Sequence, residues 1–212
     1  LRLIPRHHFV EGVALERAYA DTAIATKADR AGTAISSLSQ PTMVAAMLEM
    51  LQLRTGHRVL EIGAGSGYNA ALVASIIGPG GHLVTVELEP DLATSAERRL
   101  RDHGFDDVRV VAGDGAAGWP DGAPYHRIIV TTGAASIAMA WADQLEQGGR
   151  LVVPVVDAGG TGRVHCLVKR GQHLEEVSTL PCGFLPMRSK PLGHSDGNGH
   201  RAPTERHRPE RE

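Results

Sequence analysis

Residues able to hold a small polar ligand cluster in three short stretches. Glu61-Ile62-Gly63-Ala64-Gly65-Ser66-Gly67 closes an apolar run that begins at Val59, and from Tyr68 to Ile77 the apolar residues take helical spacing. This order predicts a buried strand, a tight turn and a helix, with the turn at the edge where open α/β sheets hold their ligands. Glycine suits such a turn because, without a Cβ, its backbone takes positive φ and admits a ligand directly against it. The helix start adds free N–H groups. Glu87 ends the next apolar run, and Gly113-Asp114-Gly115 follows a third. A glycine turn alone, or Asp-Gly alone, is common in ordinary loops; three successive strand ends on one sheet edge, each with a ligand-type residue, favour a binding site. A dinucleotide turn would place a third glycine where this chain has Tyr68, which argues against NAD.

The loop Glu61 to Gly67, with Glu87 beyond it, resembles the nucleotide-binding loop of S-adenosylmethionine-dependent methyltransferases. The resemblance implies a Rossmann-like fold and S-adenosyl-L-methionine as cofactor, its methionine part cradled by the loop and its ribose hydroxyls bound by Glu87. A carboxylate suits a diol, having two acceptor oxygens and no donor. At the position of Asp114 such enzymes accept the adenine amino group, with Gly113 and Gly115 leaving room for the ring. The cofactor set so implied is Glu61, Gly63, Ala64, Gly65, Ser66, Gly67, Tyr68, Asn69, Glu87, Leu88, Gly113, Asp114, Gly115 and Thr131.

Further segments narrow the resemblance. Ile4-Pro5-Arg6-His7-His8-Phe9-Val10, Ala18-Tyr19-Ala20-Asp21, Ser39-Gln40-Pro41, Leu151-Val152-Val153-Pro154-Val155 and Phe184-Leu185-Pro186-Met187 occur with the glycine loop and Gly113-Asp114-Gly115 in the order seen in protein-L-isoaspartate O-methyltransferases. The match spans roughly residues 1 to 190, and its most specific part is the Ser-Gln-Pro helix start ahead of the glycine loop. By resemblance, Ser39 is the catalytic-site residue that hydrogen-bonds the substrate carboxylate; as a plain structural feature it would be a helix N-cap, and the two roles can coexist. The substrate implied is a protein or peptide bearing isoaspartate or aspartate. Its carboxylate is ionised near neutral pH and needs no general base, so alignment and a dry pocket are what the protein must supply. The family's repair enzymes carry Pro-Ile-Gly and then Gly-Gln-Thr before the serine, whereas this chain reads Ala25 to Leu38 without either. That departure bears on the substrate side. Similar departures occur in related enzymes that methylate an aspartate of ribosomally made peptides such as lanthipeptides, which is the first alternative. A small-molecule methyltransferase and a cofactor-binding protein without catalysis are the others.

The elements that must position these residues are legible as a rhythm. Pro41 opens a helix with Met43, Ala46, Met47, Met50 and Leu51 on its inner face, closed by Gly56; this methionine stripe reads as core. Strands are predicted from near Arg58, at His82–Leu88, Val108–Ala112, Arg127–Thr132 and Arg150–Val156. A helix from Pro90 to about His103 and another with Ile137, Ala138, Trp141 and Leu145 inward lie between them. Arg163–Lys169 and Leu174–Thr179 form a hairpin around Arg170-Gly171-Gln172-His173. The fold class is therefore α/β: a doubly wound, mostly parallel sheet with a C-terminal antiparallel hairpin. Residues 1–57 form an N-terminal lead-in and substrate-side helices, with 25–37 as a polar loop; 58–190 are the cofactor-binding core; 191–212 are expected to be a disordered tail.

With 212 residues, 42% of them hydrophobic, the chain has material for one such domain. A formal charge of −2 gives no nucleic-acid-binding field, and no apolar run reaches the roughly 18 residues of a membrane span. The chain begins at Leu1 without a signal-peptide pattern, and Cys166 and Cys182 lie in separate apolar segments. Both are expected to be reduced and buried, and the protein cytoplasmic. None of the eleven histidines has zinc-site spacing, so no metal is expected.

Overall fold

β3 (Arg58–Ile62) is the axis of the molecule. Val59, Leu60, Glu61 and Ile62 are each 1% exposed or less, as a central parallel strand covered on both faces requires. In the computed structural model, which describes residues 4–188, the chain leaves β3 through α3 (Tyr68–Ile77) to β4 (His82–Glu87), and through α4 (Pro90–Asp102) to β5 (Arg109–Ala112). It then returns to the other side of β3 as β6 (Tyr125–Val130) and continues outward through α5 (Met139–Gln144) to β7 (Leu145–Val156). The order is β5-β4-β3-β6-β7, all parallel. β8 (Thr161–Arg170) and β9 (His173–Gly183) then add two antiparallel strands at the β7 edge. The expected sheet class, including its C-terminal hairpin, is what the structure has. The winding direction reverses at β3, so a crevice opens at its carboxyl end. Register sets its neighbours: Ile62 lies opposite Val86 on one side and Val130 on the other, which puts Gly63, Glu87 and Thr131 on one edge.

Two packed layers fix this edge. On one face Val59 packs with Ala70, Val73 and Ile77 of α3 and with Leu100 of α4, while Met47 and Leu51 of α2 (Pro41–Leu51) pack on Ile129, Val152 and Val164. On the other face Leu60, Ile62 and Ile128 meet Trp141 and Leu145. The residues expected to form the inner stripe of the last helix all face this second core, but only Trp141 lies in the helix. Leu145 already has extended backbone and starts β7. Gln144 stops the helix by turning its amide to the 115–119 segment, accepting the Trp119 N–H and donating to Ala117 O.

Two other expectations are corrected. Helix α2 ends at Leu51 rather than at Gly56: Gln52 takes the left-handed conformation, and Arg127 and Arg150 reach across to the terminal carbonyls of Leu51, Gln52 and Met50. Residues 25–37 are not a loop. After a 3-10 turn (Arg6–Phe9) and α1 (Leu15–Tyr19), the chain forms an antiparallel hairpin of β1 (Ile24–Ala28) and β2 (Ala34–Leu38). Its turn is closed by Asp29, whose Oδ1 accepts the N–H groups of Ala31 and Thr33 at 2.9 Å each, with Gly32 at φ 83°. Irregular register around Lys27 breaks the simple alternation that would mark a strand. The expected tail, 191–212, lies outside the described residues.

Candidate active site

The loop after β3 meets its partners through short-range geometry. Gly63 has φ 98°, and a Cβ there would come within 2.7 Å of Thr131 Oγ1, so only glycine leaves this contact intact. Thr131 in turn holds the strand end, its hydroxyl 2.9 Å from Ile62 O and 2.6 Å from Gly63 O. Glu87, 7% exposed, accepts the Gly65 N–H at Oε2 (2.8 Å) and the Glu89 N–H at Oε1 (3.1 Å). The carboxylate thus shapes the loop and keeps a lone pair on each oxygen for a ligand.

Above this edge is a cavity of about 560 Å³, within the range of small-molecule sites. Its floor is the glycine loop, Glu87, Leu88 and Thr131. Its roof is the strand β2 with Ser39, Gln40 and Met43, and one wall is the segment Phe184–Arg188. Strand β2 of the hairpin therefore faces the same cavity as the glycine loop. Of the residues expected from sequence, the cavity is lined by Ser39, Gly63, Ala64, Gly65, Ser66, Tyr68, Asn69, Glu87, Leu88, Gly115 and Thr131. Glu61, Gly67, Gly113 and Asp114 stand outside the lining.

Glu61, Gly67 and Asp114 each have a visible structural task. Glu61 is fully buried and accepts hydrogen bonds from Asn69 Nδ2 (2.7 Å) and the Thr85 hydroxyl, so it fixes Asn69, which does reach the cavity. Burial pushes its carboxyl up to about 7 against those two bonds. Gly67, at φ 87°, lets α3 start close to α4; a Cβ would lie 3.3 Å from Ala96 O. Asp114 Oδ1 accepts the Ala116 N–H at 2.9 Å and closes the turn that carries Gly115, next to Gly113. At Gly115 a Cβ would meet Ile62 Cγ2 at 2.4 Å.

Ser39 is half-buried and, among the described residues, its hydroxyl has no hydrogen-bond partner. It does not cap α2; Gln40 occupies the cap position and also leaves it without a side-chain bond of its own. A charged cluster that sequence reasoning missed lies beside the cavity and joins its lining through Arg188. Glu89 pairs with Lys27 of the hairpin (3.1 Å) and with Arg188 of the wall segment (2.9 Å), while Lys27 also meets Asp91 at 2.7 Å. Hydrogen bonding and charge hold the Glu89 and Asp91 carboxyls below their ordinary range and raise the Lys27 ammonium. Nothing local in sequence links these three segments. The Phe184-Leu185-Pro186-Met187 motif was the available sign that the wall belongs to the site.

Comparison with known proteins places this geometry. Residues 1–191 match the family described as Protein-L-isoaspartate(D-aspartate) O-methyltransferase (PCMT). A protein-L-isoaspartate O-methyltransferase of Ignicoccus hospitalis is 39% identical over 184 residues, covering 87% of this chain and 84% of its own. One from Gloeobacter violaceus is 39% identical over 192 residues, covering 90% and 89%. A solved protein-L-isoaspartate O-methyltransferase structure superposes with TM-score 0.79 at 33% identity over 86% of this chain, which spans 58% of that structure's length. A Plasmodium falciparum structure, solved with S-adenosyl-L-homocysteine, shares the fold at TM-score 0.68 and 16% identity, covering 86% and 85%. Among the described residues no helix is long and apolar enough to cross a membrane. Matched by the family model over residues 1–191 and by relatives 39% identical over most of both chains, the chain belongs to the protein-L-isoaspartate (D-aspartate) O-methyltransferase family.

Proposed function

We propose that this protein is an S-adenosylmethionine-dependent carboxyl O-methyltransferase acting on L-isoaspartyl residues of proteins or peptides, the ester so formed leading on to a succinimide. The observation that carries the reading is one cavity bounded by the Gly63–Ser66 loop with Glu87 on one side and on the other by Ser39, whose hydroxyl has no partner among the described residues. The residues fit the cofactor: Glu87 is a buried acceptor pair with free lone pairs, and Gly65, at φ 52°, leaves backbone open to the cavity. Glu87, the loop from Gly63 to Ser66, Asn69 and Leu88 would hold it. When bound, S-adenosylmethionine supplies a methyl group on a sulfonium sulfur, which a carboxylate takes without further activation.

The chain's own part is binding, orientation and exclusion of water. Ser39 donates its hydroxyl hydrogen to one oxygen of the acceptor carboxylate and aims the other toward the glycine loop. An isoaspartyl carboxylate is ionised at neutral pH, so no side chain need accept a proton. Met43, Val44, Met47 and Phe184 line the same cavity and give the carboxylate an apolar surround, which favours transfer by removing its hydration shell. The test is kinetic. The wild type should methylate an isoaspartyl peptide, and Ser39→Ala should lower turnover by about ten-fold or more with cofactor affinity unchanged, because the lost bond acts only on the acceptor. Wild-type turnover in Ser39→Ala would contradict the assigned role.

A further inference from the structure

Helix α2 brings Ser39 and Gln40 to the cavity, yet neither side chain caps the helix start. The task falls to Asp21, from the loop between α1 and β1. Its Oδ1 accepts the Thr42 N–H at 2.9 Å, and its Oδ2 accepts the Thr42 hydroxyl at 2.7 Å and Gln40 Nε2 at 3.0 Å. A carboxylate here does what an N-cap side chain does, satisfying an orphan N–H and placing negative charge at the positive end of the helix. Serine is a common capping residue, and Ser39 stands two positions before Pro41. With the cap supplied from outside the helix, the Ser39 hydroxyl is left over for the cavity.

The same bonds fix the sense of Gln40. A carboxylate only accepts, so the Nε2 end of the amide must face Asp21, and Oε1 has no partner among the described residues. Asp21 is itself anchored. Arg6, 2% exposed, donates from Nε to Ala18 O at 2.7 Å and from Nη2 to Thr22 O at 3.4 Å, bracing the backbone on both sides of Asp21. The far end of α2 is held by Arg127 and Arg150 through its last carbonyls. The helix is thus pinned at both ends by residues distant in sequence, and the Ser39 hydroxyl has no hydrogen-bond partner among the described residues.

We propose that Asp21 is a positioning residue for the methyl acceptor: by capping α2 and gripping Gln40 it holds Ser39 and Gln40 in register with the substrate carboxylate. This rests on the reading that Ser39 meets that carboxylate. Asp21 does not line the cavity, so its loss should be felt in turnover of the peptide and not in cofactor binding.

A double-mutant cycle decides the matter. Turnover of an isoaspartyl peptide and calorimetric affinity for S-adenosylhomocysteine are measured for wild type, Asp21→Ala, Ser39→Ala and the double variant. Asp21→Ala is expected to lower turnover by about ten-fold with cofactor affinity within two-fold of wild type, and to add less than about two-fold in the Ser39→Ala background, because residues that act through one another are not additive. Asp21→Asn keeps an acceptor for the Thr42 N–H but turns an amide donor toward Gln40 Nε2, so its turnover should fall between those of wild type and Asp21→Ala; it also stands in if the alanine variant does not fold. Equal losses in both backgrounds, a matching loss of cofactor affinity, or an asparagine variant as impaired as the alanine one would overturn the proposal. Full turnover in Ser39→Ala alone would overturn both this proposal and the acceptor role of Ser39, whereas a Ser39 loss with an additive Asp21 loss would overturn this one only.

Discussion

Glu61 and Glu87 are both buried acidic residues at the site, and their surroundings give them different work. Glu61 has no exposed surface, and burial lifts its carboxyl from 4.5 to about 7. Because the folded-state value is raised, the folded protein holds more protons than the unfolded chain between those two values. Stability should fall as pH rises through that window and level off above it, by a total on the order of 3 kcal/mol. Glu61→Gln, neutral throughout, should melt progressively higher than wild type as pH goes from 5 to 8; a gap that does not change with pH would contradict this account of Glu61. Glu87 shapes the loop while facing the cavity. Glu87→Ala leaves the Gly65 and Glu89 N–H groups and the ligand hydroxyls unpaired, so cofactor affinity should weaken by about 1 to 3 kcal/mol in calorimetry. The placement of Glu87 was legible, since a carboxylate closing an apolar run falls at the sheet edge. Glu61 stands outside the cavity because Asn69 and Thr85 take up its carboxyl inside the strand layer, whereas the motif drew attention to its closeness to Gly63.

At the scale of elements, the hairpin β1–β2 is where sequence reasoning fell short. Ala25 to Ser37 is polar because one side of the hairpin faces solvent and the other faces a ligand cavity, so neither side shows the apolar alternation of a packed strand. The turn chemistry of Asp29 and Gly32 was the remaining signal. The hairpin roof is tied to the floor through Lys27 and Glu89, and the wall segment through Arg188 and the same Glu89. Because Glu89 also donates its N–H to Glu87, the cluster is joined directly to the carboxylate that faces the cavity. Ion pairs of this partly exposed kind are individually weak and screened by salt. Glu89→Gln should therefore release S-adenosylhomocysteine roughly two- to five-fold faster in stopped-flow measurements, with the wild type moving toward the variant as salt rises. Identical release rates at low salt would show that the cluster does not restrain the roof and wall of the cavity.

For the whole molecule, the alternation of strands and helices from β3 to β7 was legible because each strand is an apolar run punctuated by glycine or proline. Strand order was not, since it depends on which side of β3 the chain returns to after β5, a choice made by packing of α3 and α4 on one face and Trp141 on the other. That return creates the crevice, and the crevice places the glycine loop opposite Ser39. The central claim, methyl transfer to an isoaspartyl carboxylate in this crevice, is tested most directly by offering labelled S-adenosylmethionine with two short peptides that differ only in an isoaspartyl or an aspartyl linkage. A site that reads backbone geometry around the reacting carboxylate should label the isoaspartyl peptide and leave its twin unlabelled. Equal labelling of both, or labelling of the aspartyl peptide alone, would contradict the account.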